Sequence, residues 1–475
     1  MHNTVGKHAS AWLGRPSHRT VMLSVLIASL YFVLLCYVST RLPFSVYPKA
    51  FPDEDMRLRL PEFFYNHGYL PTGHEAEVRY ERWGFSYASY PLMLTTFIAG
   101  LFMKMASFVT VNQDWLVFSA RLVSIIAATV FAFFACLIGQ VLFSGLYGWV
   151  FSAVILSLPQ FIYCGLYFNN DMPALCGGSI VLYSWVVALR DGWKINNGII
   201  LSIGISIVAL TYYNAYSWIL LSIFIYFIIW MQRYGSFAFL VKSDRSFWVI
   251  TATVVGLTCL LVVPWFIRTG ILNHGDFLGF ATIRSDSAQY GVPELKPDLR
   301  PTPKNLGMSV FEMLLTTHYM GVGRTWILVT FESLVGAFGY MNVYLPKIIY
   351  LVYAFACIVG LCLFVGSRII NLFNLKHIDW RMIVLDILMI SNTVIVLGLS
   401  VVYSYATDYQ AQGRYIFPML LSLVYMVISG WKSILGLIRV DHAVKVGVAV
   451  CIIGLMLIGD VVAYMTLTDN MSLLR

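Results

Sequence analysis

The sequence predicts an all-α polytopic membrane protein of about eleven transmembrane helices, with juxtamembrane helices in two long external loops. Three observations predict it. The chain is 59% hydrophobic and only 11% charged, where a soluble domain carries about 25% charged residues. Apolar runs long enough to cross a bilayer recur from end to end. The basic residues gather in alternate connections, as the positive-inside bias requires. The chain, residues 1–475, reads as a single membrane domain, with a first external loop at 40–109 and a second at 268–346. The net charge of +8 says less than its placement. The eight cysteines all fall in or beside apolar segments. That pattern excludes a disulfide framework in the polar loops and a thiolate metal site, and fits packing residues.

The elements follow in order. Lys7, Arg15 and Arg19 precede the run Val21–Val38. That run is long for a signal-peptide core and is expected to be a retained first span leaving the cytoplasm. Pro91–Val109 is apolar but interrupted by Lys104, and reads as a helix lying at the outer surface. Read as a full span, it would place Arg190/Lys194 and Lys242/Arg245 outside, against the bias. Spans then run near Trp115–Ile138, Trp149–Phe168, Ala174–Leu189, Gly198–Tyr213, Ser217–Trp230 and Trp248–Phe266. Four prolines between Pro293 and Pro303 make the start of the second loop irregular. Its later part, Leu306–Tyr344, is amphipathic and aromatic, and is expected to pack on the outer surface. Ile348–Val365, Met382–Tyr403, Ile416–Ile428 and Val446–Tyr464 complete the set. Inner connections carry Arg368, Lys376, Arg381, Lys432, Arg439 and Lys445. No internal repeat or low-complexity segment stands out.

Much of the scarce charge lies between Phe51 and Trp83, and three motifs fall on the expected outer face. Pro52-Asp53-Glu54 opens a short surface helix whose stop is Asn66-His67-Gly68; acids in a first turn also simply complement the helix dipole. Asn169-Asn170-Asp171 sits between two spans, where an Asp is commonly an N-cap. Gln412-Gly413-Arg414-Tyr415-Ile416-Phe417-Pro418 begins a span. The Arg414 fork matches phosphate oxygens, and equally suits a lipid-headgroup anchor with Tyr415 in the aromatic belt.

Together these motifs resemble the GT-C class of membrane glycosyltransferases, which includes protein O-mannosyltransferases and the aminoarabinose transferases acting on lipid A. In that class an Asp-Glu pair lies in the first external loop. A juxtamembrane helix, two spans and a second external acid follow. Asp53-Glu54, Pro91–Val109, the next two spans and Asp171 keep that order. The Gln-Gly-Arg-Tyr motif with its later Pro resembles a related, poorly characterised branch of predicted bacterial membrane proteins. The resemblance implies transfer of a sugar from a polyprenyl-phosphate donor to a glycan, lipid or protein acceptor outside the cytoplasm, in a plasma membrane with the N-terminus cytoplasmic. Membrane lipids are the other expected partners; nucleic acid is not. It implies Asp53 as general base in an inverting displacement, with Glu54 orienting it or the acceptor. Asp171 would position acceptor or sugar, and Arg414 with Tyr415 would hold the donor phosphate. Arg57, Arg79, Arg82, Arg324 and His318 are further candidates for substrate binding on the same face.

Arg57 stands where many relatives have another residue, and with no large soluble domain after the last span, acceptor recognition is expected from the loops. No cofactor is required. A divalent metal, which some members of the wider class bind, finds no helical ligand spacing in His67, His74 and Glu75. Asp386 and Asp460 fall within spans, where carboxylates are functional suspects; Asp386 lies close enough to the inner end to reach water. The competing readings are a transporter or lipid-linked glycan flippase, and a non-catalytic scaffold or sensor. Ionisable groups in long outer loops rather than at the midplane disfavour transport.

Overall fold

The computed structural model describes residues 13–235, 244–317, 323–373, 379–437 and 441–474. Lys7, Lys242, His318, Lys376 and Arg439 lie outside the described residues. Among the described residues, nine helices are long and apolar enough to cross a membrane. They fall in α1 (His18–Thr40), α4 (Gln113–Leu142), α7 (Asp171–Asp191), α9 (Ser217–Tyr234), α10 (Arg245–Leu272), α14 (Lys347–Phe373), α15 (Trp380–Ala406), α16 (Leu420–Leu437) and α17 (His442–Asp469). The shorter helices are α2 (Glu54–His67), α3 (Leu94–Ser107), α5 (Gly145–Leu156), α6 (Pro159–Gly165), α8 (Ile195–Ala209), α11 (Phe280–Tyr290), α12 (Val310–Leu315) and α13 (Trp326–Gly336). A two-stranded hairpin, Ala337–Phe338 with Val343–Tyr344, closes the second loop.

The expected segments are all helical, with two refinements. The run at Trp149–Phe168 is not one straight span: α5 and α6 meet at a 62° bend. Pro159 is the cause, because it lacks the amide that would continue the ladder. The carbonyls freed there are taken up by tyrosines. Tyr31 donates to Leu156 O (3.3 Å) and Tyr353 to Ser157 O (3.1 Å). The second refinement is α8, which is 15 residues long, short of the roughly 20 that span a hydrocarbon core. Asp386 does not reach water as expected. It is buried, and it accepts from Arg368 Nε (2.6 Å) and Nη2 (3.1 Å) and from the Tyr425 hydroxyl (2.7 Å).

Hydrophobic segregation cannot drive helix pairing within lipid, so the bundle relies on close backbone approach at small residues. Between α14 and α16, a Cβ on Gly430 would stand 2.0 Å from Gly360 O. One core runs through α1, α4 to α9 and α14 to α16. By contrast α10 is peripheral, with only 11% of its most apolar stretch buried. The C-terminal ends of α1 and α15 and the N-terminal ends of α4, α7 and α16 share one end of the bundle, and α2 and α3 lie across it.

A Gly430→Val exchange is expected to push α14 and α16 apart, at about 1–3 kcal/mol for overpacking. Thermal unfolding of the detergent-purified protein checks it: an unchanged transition would mean that the two helices do not meet at these glycines.

Candidate active site

Glu54 and Arg121 organise the site. Both side chains are 2% exposed and paired through two hydrogen bonds, Nε to Oε1 (2.8 Å) and Nη2 to Oε2 (2.6 Å). Arg121 also donates to Leu42 O (2.7 Å) and Ser39 O (3.3 Å), just past and within the last turn of α1. Phe168 N donates to Glu54 Oε1 (2.9 Å). One ion pair therefore ties α1, the start of α2, α4 and the turn ahead of α7 together. Both carboxylate oxygens of Glu54 are engaged in this work.

That residue, Asp53, adopts the left-handed region (φ 60°) and makes no side-chain cap bond. Its carboxylate is instead paired with Arg414 Nη2. Burial pushes the Asp53 carboxyl up, but the Arg414 and Arg57 guanidiniums outweigh it and hold it below the ordinary carboxylate value. Arg414 is delivered by a 3₁₀ turn, Gly413–Met419, that leads into α16.

Asp171 is the first residue of α7 but not its cap. Asn169 takes that work: its Oδ1 accepts from Met172 N (2.9 Å), while its amide donates to Cys164 O (2.7 Å) and Tyr167 O (2.8 Å). Asn170 accepts from Thr95 (2.5 Å). The Asp171 side chain is left free to face inward, buried, with no partner for Oδ2.

These groups meet at a cavity of about 350 Å³ lined by Asp171, Arg414, Arg57 and Tyr415, with Asp53 behind Arg414. Four of its lining residues carry a buried polar atom without a partner: Asp171 Oδ2, Arg414 Nη1, Arg57 Nε and the Tyr80 hydroxyl. Buried polar atoms are normally satisfied, so four at one cavity mark a place where a polar ligand completes the bonding. The rest of the wall is mainly aromatic and aliphatic, with Thr96, Asn170, Thr211, Asn214 and Thr407 between. Tyr90, Tyr213 and Phe280 pack edge-on or tilted at 4.9–5.7 Å. Tyr403 stacks on Tyr415 at 5.8 Å, Arg57 lies over Tyr87 at 5.1 Å, and Leu399 and Val402 of α15 complete it.

The chain belongs to the DUF2142 family. The match, to a family described as a predicted membrane protein, covers residues 71–423; Asp171 and Arg414 lie within it and Asp53 before it. No curated protein matches the chain. Its backbone is similar to the oligosaccharyltransferase of Archaeoglobus fulgidus in the apo form (13% identity, TM-score 0.49; 94% of this chain and 56% of that one). It is also similar to AglB of that organism in complex with an inhibitory peptide and a dolichol-phosphate (11%, 0.47; 94% and 56%). A third similarity is to apo ArnT from Cupriavidus metallidurans (14%, 0.36; 86% and 77%). The chain thus spans little more than half the length of the first two.

Of the expected ligand-binding residues, the structure brings Arg57, Arg414 and Tyr415 to the cavity and leaves Arg79, Arg82 and Arg324 elsewhere. Arg82 is exposed, on a turn held by the backbone bond from Val292 N to Arg82 O (3.1 Å). Arg324 is occupied by Glu332 and lies over the Tyr344 ring at 4.5 Å. Arg79 is turned to Tyr290, 3.8 Å from its ring. The sequence reading missed Arg121, whose signal was a lone Arg inside an apolar run. It also missed the tyrosine wall, signalled by Tyr87, Tyr90 and the Tyr212-Tyr213 pair.

Two outcomes follow. Glu54→Gln leaves the Arg121 charge buried without its counterion and is expected to cost about 3–5 kcal/mol, read as loss of folded protein in membranes or a lowered unfolding temperature. The Asp53–Arg414 pair follows the sign of a lowered acid. Its stabilisation is full above the ordinary Asp value of about 3.9 and is lost as pH falls through the lower folded value. The stability difference between wild type and Asp53→Asn should be flat from about pH 8 to 5 and shrink below about pH 4; a difference that fades near neutrality would refute the pairing.

Proposed function

We propose that the protein is a glycosyltransferase that moves a sugar from a polyprenyl-phosphate carrier to an acceptor hydroxyl, at the outer boundary of the membrane. The observation that carries this reading is the cavity in which Arg414 and Asp171 each present an unpartnered buried atom. Arg414 Nη1 is a donor without an acceptor and suits a phosphate oxygen; Arg57 adds a second cation beside it. Cations fixed in place before reaction, in a low-dielectric site, act where the departing phosphate gathers charge. The tyrosine faces and the Leu399 and Val402 side chains offer apolar surface for a sugar ring and the first part of a lipid chain.

In the displacement, the acceptor oxygen bonds to the anomeric carbon while the bond from that carbon to the phosphate oxygen breaks. The electron pair leaves with the carrier phosphate, toward Arg414 and Arg57. The acceptor proton needs a carboxylate within hydrogen-bonding reach. The sequence resemblance assigns this to Asp53, yet Asp53 is held by Arg414 and its basicity is thereby lowered. Asp171 lines the cavity and its Oδ2 has no hydrogen-bond partner, so the reading gives the proton to Asp171 and makes Asp53 the residue that fixes Arg414. Attack from the face opposite the phosphate inverts the anomeric centre.

In a cell-envelope glycan assay at matched protein level, Asp171→Asn is expected to slow transfer about 10²–10⁴-fold, the range for losing a general base. Arg414→Gln should lose about 10²–10³-fold through the leaving group. Asp53→Asn should weaken donor binding more than it slows turnover at saturating donor. Full modification in the Arg414 variant would overturn the enzyme reading. Accumulation of a carrier-linked sugar in the Asp171 variant separates transfer from flipping.

A further inference from the structure

A second cavity, of about 530 Å³, lies away from the candidate site. Val154 of α5, Ala356 of α14, Val427 of α16 and Ile452 of α17 represent its walls. Apart from Lys445, the Cys357 thiol and the Tyr147 hydroxyl, the lining is hydrocarbon and aromatic. The polar atoms of two lining residues are already engaged, Trp431 Nε1 with Ala356 O (3.1 Å) and the Tyr353 hydroxyl with Ser157 O (3.1 Å). A bound water needs two to four polar partners, which these walls do not supply. Along α16 the lining runs from Leu420 to Leu435, which at 1.5 Å per residue is about 22 Å, most of the depth of a hydrocarbon core. The cleft therefore has the length and chemistry of a lipid chain.

Its two ends differ. Near the candidate site, Phe331 and Leu334 line the end, and Leu334 is pressed against the Arg414 turn so closely that a Cβ on Gly413 would stand 2.1 Å from Leu334 N. A carrier whose phosphate sits on Arg414 is thereby separated from this cleft, because Arg414 faces the other cavity. At the opposite end stands Lys445, in the first turn of α17 and the one charged residue of the lining. An ammonium at the mouth of an apolar cleft is complementary to an anionic headgroup above a hydrocarbon tail.

We propose that this cleft is a binding site for an anionic phospholipid from the leaflet opposite the candidate site. One acyl chain fills the space between α5, α14, α16 and α17, and the headgroup phosphate pairs with Lys445. The lipid completes the packing of α17 against α14 and α16. This proposal does not depend on the glycosyltransferase reading.

The test uses the full chain, purified in mild detergent and mixed with phosphatidylglycerol, phosphatidylcholine of the same acyl chains, or polyprenyl phosphate, with retained lipid counted by native mass spectrometry. Wild type is expected to retain phosphatidylglycerol at least about five-fold over phosphatidylcholine, a preference worth about 1 kcal/mol. Lys445→Gln should bring the two to parity, and Ala449→Phe, which fills the cleft, should lower retention of both. Equal retention of the two phospholipids by wild type, or a preference that survives Lys445→Gln, overturns the proposal. So does polyprenyl phosphate displacing phosphatidylglycerol in wild type but not in Ala449→Phe. Lys445 is half-exposed, so its variant tests the headgroup even if the cleft-filling variant does not fold.

Discussion

The ion pair between Glu54 and Arg121 is the constraint on which the site depends. Two charges at 2% exposure inside a membrane bundle carry a desolvation cost that their attraction does not clearly exceed. What the pair gives is position. Arg121 reaches back to the carbonyls that end α1, and Glu54 reaches forward to the amide of Phe168, three residues before Asp171. The further bonds of the pair run to the end of α1 and to the turn ahead of α7, so α2 cannot slide on α4 without leaving a charge bare in a dry interior. A hydrophobic contact at the same place would tolerate sliding. The side chains of Asp53 and Asp171, on loops more than a hundred residues apart, are set relative to one another by this joint.

The placement of the acidic and basic motifs at one end of the bundle was legible from the apolar runs and the positive-inside bias, because span order alone decides which connections share a face. How each side chain is used was less legible. Asp53 and Glu54 are adjacent and chemically alike, yet one is locked on Arg121 and the other paired with Arg414; nothing local separates them, since both partners come from distant segments. Likewise the N-cap reading of Asp171 failed on its neighbour, because Asn169 reaches the Met172 amide first. Arg82 and Arg324 share their charge with Arg414 and Arg57, but the fold leaves Arg82 exposed and turns Arg324 to Glu332. Trp149–Phe168 read as one span because its apolar run is continuous; Pro159 breaks it, and the tyrosine hydroxyls that satisfy the break come from α1 and α14, far away in sequence.

The cavity joins two environments that rarely share a wall. Its charged side carries the unpartnered atoms of Asp171, Arg414 and Arg57, while its aromatic side is built by the second loop folding onto the first. Asp276 accepts from Gly279 N (2.9 Å) and Thr282 N (2.9 Å), and so forms the turn that presents Phe280. Asn273 donates to Ser89 O (2.8 Å), and the Tyr213 hydroxyl to Leu278 O (2.8 Å). These bonds fix the outer wall by backbone atoms, leaving the rings free to offer their faces. Removing water from such a space strengthens the field of Arg414 at the same stroke as it makes room for apolar surface, and a ligand with an anionic group beside a hydrocarbon chain satisfies both halves at once.

The backbone of Asp53 shows how firmly this arrangement is imposed. A non-glycine residue at φ 60° costs roughly 1–2 kcal/mol against the right-handed form, and Asp tolerates it better than most residues. The strain persists because both neighbours are determined elsewhere: Glu54 is held by Arg121, and Phe51 stacks on Tyr167 at 4.9 Å. Between those anchors the chain must turn within two residues, and the left-handed step aims the Asp53 carboxylate at Arg414 rather than at the amides of its own helix. Had Asp53 capped α2, the Arg414 guanidinium would stand without a counterion in a buried wall. Stored strain at this residue is thus the consequence of giving Arg414 an anion while keeping one of its nitrogens unspent for a ligand.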